Sequence, residues 1–260
     1  MSLQRIILSL FLFSGAAGVQ AQTHAYWQRN RLPNLPPDSA QAIQPTLAGA
    51  YAGIDRNVFI VAGGGAHFSD ALPREGGKKA WRDAVFVLKS GEKGDTTWQE
   101  TGKLPVPVAY GAAIPTRYGL WCLGGMNESG CLAESWFLRY DPLTADIHIR
   151  PDPPLPFPLA QVAAAVVGDR LYLAGGVESP IGPATSHFFS LDLRPDSSQW
   201  TWNSLPAWPG GPRTLAVAVA QSDGRETCFY LFSGRDSGPD RPLTMWDDGF
   251  VYRPGSGNWE

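Results

Sequence analysis

The chain has 260 residues, of which 17% are charged, and its formal net charge is -3. A chain with few charges and a slightly negative balance lacks the basic surface of nucleic-acid-binding proteins. The 29 glycines, 23 prolines and 10 tryptophans are typical of many short strands joined by tight turns. We therefore expect an all-β protein that binds no nucleic acid.

The first 21 residues are predicted to be an export signal. Arg5 gives a positive start, an apolar run follows over residues 6–13, and small residues lead to Ala21. The apolar run is shorter than the roughly 20 residues that a membrane-spanning helix needs. We expect cleavage after Ala21, a secreted or periplasmic mature chain over 22–260, and no membrane insertion of that chain.

Four apolar segments end in a glycine pair or in a degraded version of one. The pairs lie at 63–64, 124–125 and 175–176, and Ser233 with Gly234 takes the fourth place. Their spacing of roughly 50 to 60 residues is in the range of Kelch repeats. Glycine at these places predicts backbone conformations that residues with a Cβ avoid.

Each repeat has the same order of segments. A strand of small residues, as at 109–114, precedes the glycine-ended strand, and an aromatic-rich strand follows, as at 135–140. An outer strand with tryptophan then ends in Leu-Pro, as at 98–105, because proline has no N–H to donate to the sheet. This order predicts a Kelch-type β-propeller of four-stranded antiparallel blades.

The two ends of the sequence bear on the number of blades. Trp27 lies in an outer-strand pattern without the strands that should precede it, and Trp259 lies where another outer strand begins. In a four-bladed ring closed by the N-terminal strand, these two tryptophans would have to occupy the same position in the last blade. We expect instead about four blades of a propeller of about six, with the C-terminal part incomplete.

The three cysteines are Cys122, Cys131 and Cys228. An oxidising compartment permits a disulfide, although an odd number leaves one thiol over. Cys122 and Cys131 could face each other across a hairpin. Because disulfide geometry is demanding, we expect buried free thiols.

Two sets of loops should meet at one end of the propeller. In an up-and-down blade, the loop between the second and third strands and the loop into the next blade lie at the same end, and sites usually occupy such loops. The candidate substrate-binding residues on these loops are His67, Glu75, Lys78, Lys79, Tyr110, Asn127 and Arg213.

Arg213 is the most specific of these candidates. The Pro-Gly-Gly-Pro run at 209–212 precedes it, and a rigidly held guanidinium can bind an anionic ligand through two hydrogen bonds. The other candidates have a structural alternative. Lys78 and Lys79 could form a solvated surface with Glu75 as their ion-pair partner, and Tyr110 could be a packing residue. The four histidines show no ligand spacing, so we expect no metal site.

Four stretches carry a resemblance to a known family, at 61–79, 109–125, 155–158 and 208–213. They include the Glu-Gly-Gly-Lys-Lys run and the Trp-Pro-Gly-Gly-Pro-Arg run. The chain resembles bacterial N-acetylneuraminate epimerases, the secreted Kelch-type sialic acid mutarotases, in their circularly permuted branch. The likeness extends over nearly all of 22–260 and implies a six-bladed propeller.

The resemblance also implies a function, namely interconversion of the anomers of N-acetylneuraminate or a related sugar acid without metal or cofactor. A base takes the anomeric hydroxyl proton, an acid protonates the ring oxygen, and a cation holds the carboxylate. The family's catalytic glutamate lies in an Asn-Gly-Glu motif followed by Arg-Thr-Asp, and this sequence has neither. No residue therefore inherits the catalytic role. The alternative is a non-catalytic Kelch propeller that binds a glycan or a protein.

Overall fold

A computed structural model describes residues 32–37, 46–67, 77–90, 96–194, 200–238 and 241–260. The predicted export signal over 1–21, together with Trp27 and Glu75, lies outside these residues, so the signal stays a prediction. Within the described residues every regular element is a β-strand. In the same residues no helix is long and apolar enough to cross a membrane.

Four four-stranded sheets follow one another along the chain, and each is called a blade below. In chain order the strands are β1 (Tyr51–Asp55), β2 (Val58–Ala62), β3 (Gly65–His67), β4 (Lys79–Trp81), β5 (Ala84–Ser90), β6 (Thr96–Lys103), β7 (Ala112–Thr116), β8 (Gly119–Leu123), β9 (Met126–Asn127), β10 (Gly130–Cys131), β11 (Ser135–Asp141), β12 (Asp146–Asp152), β13 (Ala163–Val167), β14 (Arg170–Ala174), β15 (Phe188–Asp192), β16 (Asn203–Ser204), β17 (Val217–Ser222), β18 (Thr227–Phe232), β19 (Arg235–Gly238), β20 (Arg241–Met245), β21 (Gly249–Arg253) and β22 (Asn258–Trp259).

The blades have the strand orders β1-β2-β5-β6, β7-β8-β11-β12, β13-β14-β15-β16 and β17-β18-β21-β22, and neighbouring strands pair antiparallel. Two-stranded hairpins, β3-β4, β9-β10 and β19-β20, extend from the first, second and fourth blades. The prediction of four-stranded antiparallel blades is confirmed. The fourth blade also has its outer strand, the short β22, where the sequence indicated only the beginning of one.

The first strand of each blade lies against the first strand of the next. β1 contacts β7, β7 contacts β13, and β13 contacts β17. Small side chains at Ala113, Ala164 and Ala218 face these contacts, and they permit the close approach. The small-residue strands are therefore the ones through which consecutive blades meet.

Three apolar clusters fill the spaces between consecutive blades. Each contains a large aromatic side chain that is only 1% exposed, namely Tyr51, Trp121 and Tyr172. Burial of a large apolar side chain stabilises a fold by roughly 1.5–3 kcal/mol. These clusters therefore hold each blade against its neighbour.

The three cysteines are free. In the hairpin β9-β10, Cys131 lies opposite Met126, whereas Cys122 lies opposite Trp136 in β11. The alternative of a Cys122–Cys131 disulfide is therefore wrong. Free thiols are confirmed, although Cys131 is only half-buried, and burial raises its pKa to about 11.

The first glycine of each pair lets the next blade dock. These glycines have φ between 58° and 69°, a region that residues with a Cβ avoid. A Cβ there would lie 2.2–2.4 Å from the carbonyl oxygen of a residue leading into the next blade. The N–H of the second glycine donates to the same oxygen at 2.7–2.9 Å. The junctions join Gly63 to Val108, Gly124 to Leu159 and Gly175 to Arg213.

Replacing Gly175 with alanine should destabilise the protein by about 3 kcal/mol, since strain from a positive φ adds to a clash with the carbonyl oxygen of Arg213. Gly168 is a matched control, because its φ is 61° and no atom lies within 4 Å of its Cβ position. Gly168→Ala should therefore cost only about 1 kcal/mol. Denaturant unfolding measures both values, and equal losses would contradict the docking role of Gly175.

Candidate functional site

One residue shortly before each inner strand has a left-handed backbone and links one blade to the next. Gly49, Tyr110, Gln161 and Leu215 have φ between 55° and 65°. The N–H of Tyr110 donates to Gly49 at 2.7 Å, that of Gln161 to Tyr110 at 2.7 Å, and that of Leu215 to Gln161 at 3.0 Å. Strained backbone of this kind persists only where the surroundings fix it, and it is concentrated at functional sites. The hydrogen bonds place these four residues at one end of the blades, called the loop end below.

The residue after each glycine pair also lies at the loop end. It forms an isolated antiparallel bridge with the residue just before the left-handed one. Both sets of loops therefore meet at one end, as the sequence predicted. The bridged pairs are Gly65 with Ala48, Met126 with Ala109, Val177 with Ala160, and Arg235 with Thr214.

The fourth blade differs chemically from the other three at this end. At the bridged positions the first three blades have only small or apolar residues, whereas the fourth has Arg235 and Thr214. A cavity of about 480 Å³ opens beside these two residues, and Gln161 and Ser237 also line it. Its volume is within the range of small-molecule sites, roughly 300–1,000 Å³. We call this space the loop-end cavity.

Arg235 lines the loop-end cavity. Its Nε is buried and has no hydrogen-bond partner in the described part of the chain. Its backbone is fixed by two hydrogen bonds with Thr214, at 2.8 and 2.9 Å, and the carboxylate of Asp236 accepts from the N–H of Ala184 at 3.0 Å. A buried polar atom without a partner is costly. The loop-end cavity is therefore lined by an arginine whose Nε has no acceptor in the described part of the chain.

Thr214 and Gln161 form a polar wall beside this arginine. The hydroxyl of Thr214 donates to the amide oxygen of Gln161 at 2.9 Å and lies 3.2 Å from its carbonyl oxygen. Because the left-handed backbone of Gln161 is itself part of the blade-to-blade hydrogen bonding, this side chain is held in place from two sides. The cavity therefore has a charged group and neutral polar groups on rigid supports.

Lys79 and Tyr110, two of the predicted site residues, come together at the loop end. The ammonium group of Lys79 donates to the Tyr110 hydroxyl and lies 4.9 Å from the ring centroid of Trp81. Trp81 and Tyr110 pack against the apolar cluster that contains Val177. Since Val177 also lines the loop-end cavity, the Lys79–Tyr110 pair and the cavity share one apolar support.

The remaining loop candidates are not brought to the cavity. Lys78 is exposed. The Asn127 amide is engaged locally, because it donates to a backbone carbonyl at 3.2 Å and accepts from Ser129 at 2.8 Å. The backbone of His67 ends β3, whereas the His67 side chain and Glu75 lie outside the described residues. Substrate binding by these residues stays a prediction.

Arg213 lies in a blade junction and not in the cavity. It occupies the position that Val108 and Leu159 have in the preceding junctions, and its side chain is fully buried. Two of its nitrogens donate to the carboxylate of Asp248, at 2.6 and 3.2 Å, and a third bond reaches the carbonyl oxygen of Ser233 at 2.9 Å. This corrects the expectation of an open fork for a ligand, since the carboxylate that fills the fork belongs to this chain.

The sequence interpretation missed Arg235, Thr214, Gln161 and Ser237. The sequence analysis assigned no role to Arg235. A comparison of the residue after each glycine pair across the four blades would have found it, because it is the only charged residue among the four. In the described ranges no three His, Cys, Asp or Glu residues are close enough to hold a metal ion.

The Arg213–Asp248 pair should make stability depend on pH. The hydrogen bonds from Arg213 lower the pKa of Asp248, so the stabilisation is complete above the unfolded-state pKa of about 3.9 and is lost as pH falls through the lower folded-state pKa. Asp248→Asn should therefore reduce the unfolding free energy at pH 7 by about 2 kcal/mol, and this difference should shrink below about pH 4.

Asp247→Asn is the matched control, since Asp247 is the exposed neighbouring carboxylate. It should change the unfolding free energy by less than about 0.5 kcal/mol. Denaturant titrations between pH 3 and pH 7 measure both variants. A loss at Asp248→Asn that is the same at every pH would contradict the pairing.

Comparison with known proteins shows which families have models that match this chain. The N-acetylneuraminate epimerase family model matches residues 15–147, and a Kelch motif model matches residues 158–206. The first match covers just over half of the 260 residues. It contains the Lys79–Tyr110 pair, and the Kelch match contains Gln161.

Three proteins named N-acetylneuraminate epimerase are similar to the chain. The one from Yersinia enterocolitica is 35% identical over 117 residues, which is 42% of this chain and 28% of the relative. The one from Brucella suis is 36% identical over 127 residues, 45% of this chain and 31% of the relative. The one from Salmonella arizonae is 34% identical over 113 residues, 40% of this chain and 27% of the relative. The matches thus span less than a third of these relatives. The chain belongs to the N-acetylneuraminate epimerase family.

Proposed function

We propose that the protein is a sugar-acid mutarotase, which interconverts the anomers of N-acetylneuraminate or a related sugar acid at the loop end of its blades. Membership of the epimerase family supports the substrate class. The observation that carries the proposal is the Nε of the cavity-lining Arg235, which is buried and has no hydrogen-bond partner among the described residues. A sugar acid supplies the acceptor that this nitrogen lacks.

The loop-end cavity suits a sugar acid by charge and by polarity. The substrate carboxylate is ionised at neutral pH and accepts charge-assisted hydrogen bonds from Arg235, which are about twice as strong as neutral ones. Gln161, Thr214 and Ser237 offer neutral polar atoms to the sugar hydroxyls. The apolar side chains of Val177 and Ile181 in the cavity wall lie where the C–H face of a sugar ring can pack.

The reaction requires two proton transfers and the breaking and re-forming of one C–O bond. The anomeric hydroxyl loses a proton, the bond between the anomeric carbon and the ring oxygen breaks, and the ring oxygen gains a proton. The open-chain ketone then recloses on its other face by the same steps in reverse, so no group leaves and nothing is oxidised. In this proposal Arg235 holds the carboxylate, and the Lys79–Tyr110 pair of the first and second blades binds sugar hydroxyls. The base and the acid are not assigned to residues of this chain.

Exchange NMR on the full chain with N-acetylneuraminate tests the proposal. We expect anomer interconversion at neutral pH to be faster with the protein than in buffer. Arg235→Gln should lower kcat/KM by roughly 10- to 100-fold, because it removes hydrogen bonds to a charged partner. Arg225→Gln is the matched control, since Arg225 is exposed in the turn between β17 and β18, and it should leave the rate unchanged.

Calorimetric titration with N-acetylneuraminate separates the alternatives. Binding that Arg235→Gln weakens, without any acceleration of exchange, would replace the mutarotase with a non-catalytic sugar-acid-binding propeller. An Arg235→Gln variant with full exchange activity would remove the assigned role of Arg235.

A further inference from the structure

A second cavity lies between the second and third blades, away from the loop end. It reaches Tyr118 in the turn between β7 and β8, and Leu193 just after β15, which lie at the far ends of strands that begin near the loop end. Its volume is about 440 Å³, close to that of the loop-end cavity. We call it the inter-blade cleft.

Aromatic rings form the floor of the inter-blade cleft. Trp121, Phe137 and Trp200 line it, and the ring centroid of Trp121 lies 5.9 Å from that of Phe137 and 5.0 Å from that of Trp200. Rings packed at these distances keep a fixed apolar surface. Trp121 and Phe137 are buried and support Trp200, which is partly exposed, so a sugar ring can lay its C–H face on Trp200.

Three basic side chains, Arg139, His148 and Arg150, line the same cleft, and no acidic side chain lines it in the described residues. The guanidinium carbon of Arg150 lies 4.7 Å from the Phe137 ring centroid and 5.5 Å from that of Trp200. A basic group over low-dielectric walls concentrates positive potential in the cleft.

The nearby carboxylates do not pair with all of these basic groups. Arg150 lies 3.2 Å from Asp152, and His148 lies 3.4 Å from Asp141. Arg139 has no carboxylate within ion-pair distance among the residues that the structure describes, and its side chain is exposed. One cation of the cleft is therefore available to an external anion.

An indole nitrogen in the wall of the cleft also lacks a partner. Trp121 is 1% exposed, and its Nε1 has no hydrogen-bond partner within the described segments. Buried N–H groups are nearly always paired, so this one points to an acceptor that the chain itself does not provide. This unpaired N–H indicates a ligand independently of the basic residues.

We propose that the inter-blade cleft is a second, non-catalytic binding site for a sugar acid unit, a six-membered sugar ring that carries a carboxylate. The ring packs on the accessible part of Trp200, and the carboxylate binds Arg139 and Arg150. A compact anion such as phosphate would leave the aromatic floor uncovered, and a neutral sugar would leave the cations without a counterion. The aromatic surface and the cations together therefore indicate a sugar acid.

A titration of the full chain in the Arg235→Gln background tests the proposal, because this background weakens binding in the loop-end cavity. The probes are the methyl α-glycoside of N-acetylneuraminic acid, whose anomeric centre cannot open, and glucuronic acid. We expect saturable binding by calorimetry with a change in tryptophan fluorescence. Arg139→Gln and Arg150→Gln should each weaken binding about tenfold, which corresponds to one charge-assisted hydrogen bond. Arg225→Gln should have no effect.

Three results would overturn the second site. They are an absence of saturable binding, affinities that Arg139→Gln and Arg150→Gln do not change, and benzoate or inorganic phosphate binding as tightly as the sugar acids. Thermal unfolding of each variant verifies that the fold is retained. In the otherwise wild-type chain, Arg139→Gln should leave anomer exchange unchanged, so failure of the second site and failure of the mutarotase proposal give different results.

Discussion

The close approach of each glycine pair to the next blade is the contact on which the rest of the structure depends. At three junctions a carbonyl oxygen occupies the place where a Cβ would be and accepts a hydrogen bond from the second glycine. The residue that supplies this oxygen lies two positions before the left-handed residue of the loop end, as Leu159 lies before Gln161. The glycines therefore fix the spacing of the blades and the position of the loop-end residues at once.

A backbone fixed in this way allows the chemistry of one blade to change without loss of the fold. In the fourth blade the residues differ from those of the other blades at two places. Arg213 replaces a buried apolar residue of the junction and is neutralised by Asp248, while Arg235 and Thr214 replace apolar and small residues at the loop end. One arginine thus stabilises the junction, and the other is left with an unsatisfied nitrogen beside a cavity. The two arginines of the fourth blade thus differ, because one is ion-paired and the other has an Nε without a partner in the described residues.

The repeating part of the fold could be read from the sequence because it depends on local rules. Paired glycines, strands of small residues and the prolines that end the outer strands each reflect a backbone requirement that can be recognised within a few residues of sequence. The roles of single charged residues could not be read in the same way. Arg213 looked like a ligand-binding fork because its partner, Asp248, is 35 residues away and no spacing rule connects them. Arg235 was overlooked because its significance appears only when equivalent positions of the four blades are compared. Lys79 and Tyr110 were found because both lie on loops that the up-and-down strand order brings together.

We propose that Arg235 holds the carboxylate of a sugar acid at the loop end. The most direct measurement is the ¹H–¹⁵N signal of the Arg235 Nε group, assigned through its loss in Arg235→Gln, during titration with N-acetylneuraminate. We expect this signal to shift saturably and its hydrogen to exchange more slowly with water, because a buried N–H gains an acceptor. A signal that stays unchanged at saturating N-acetylneuraminate would contradict the account.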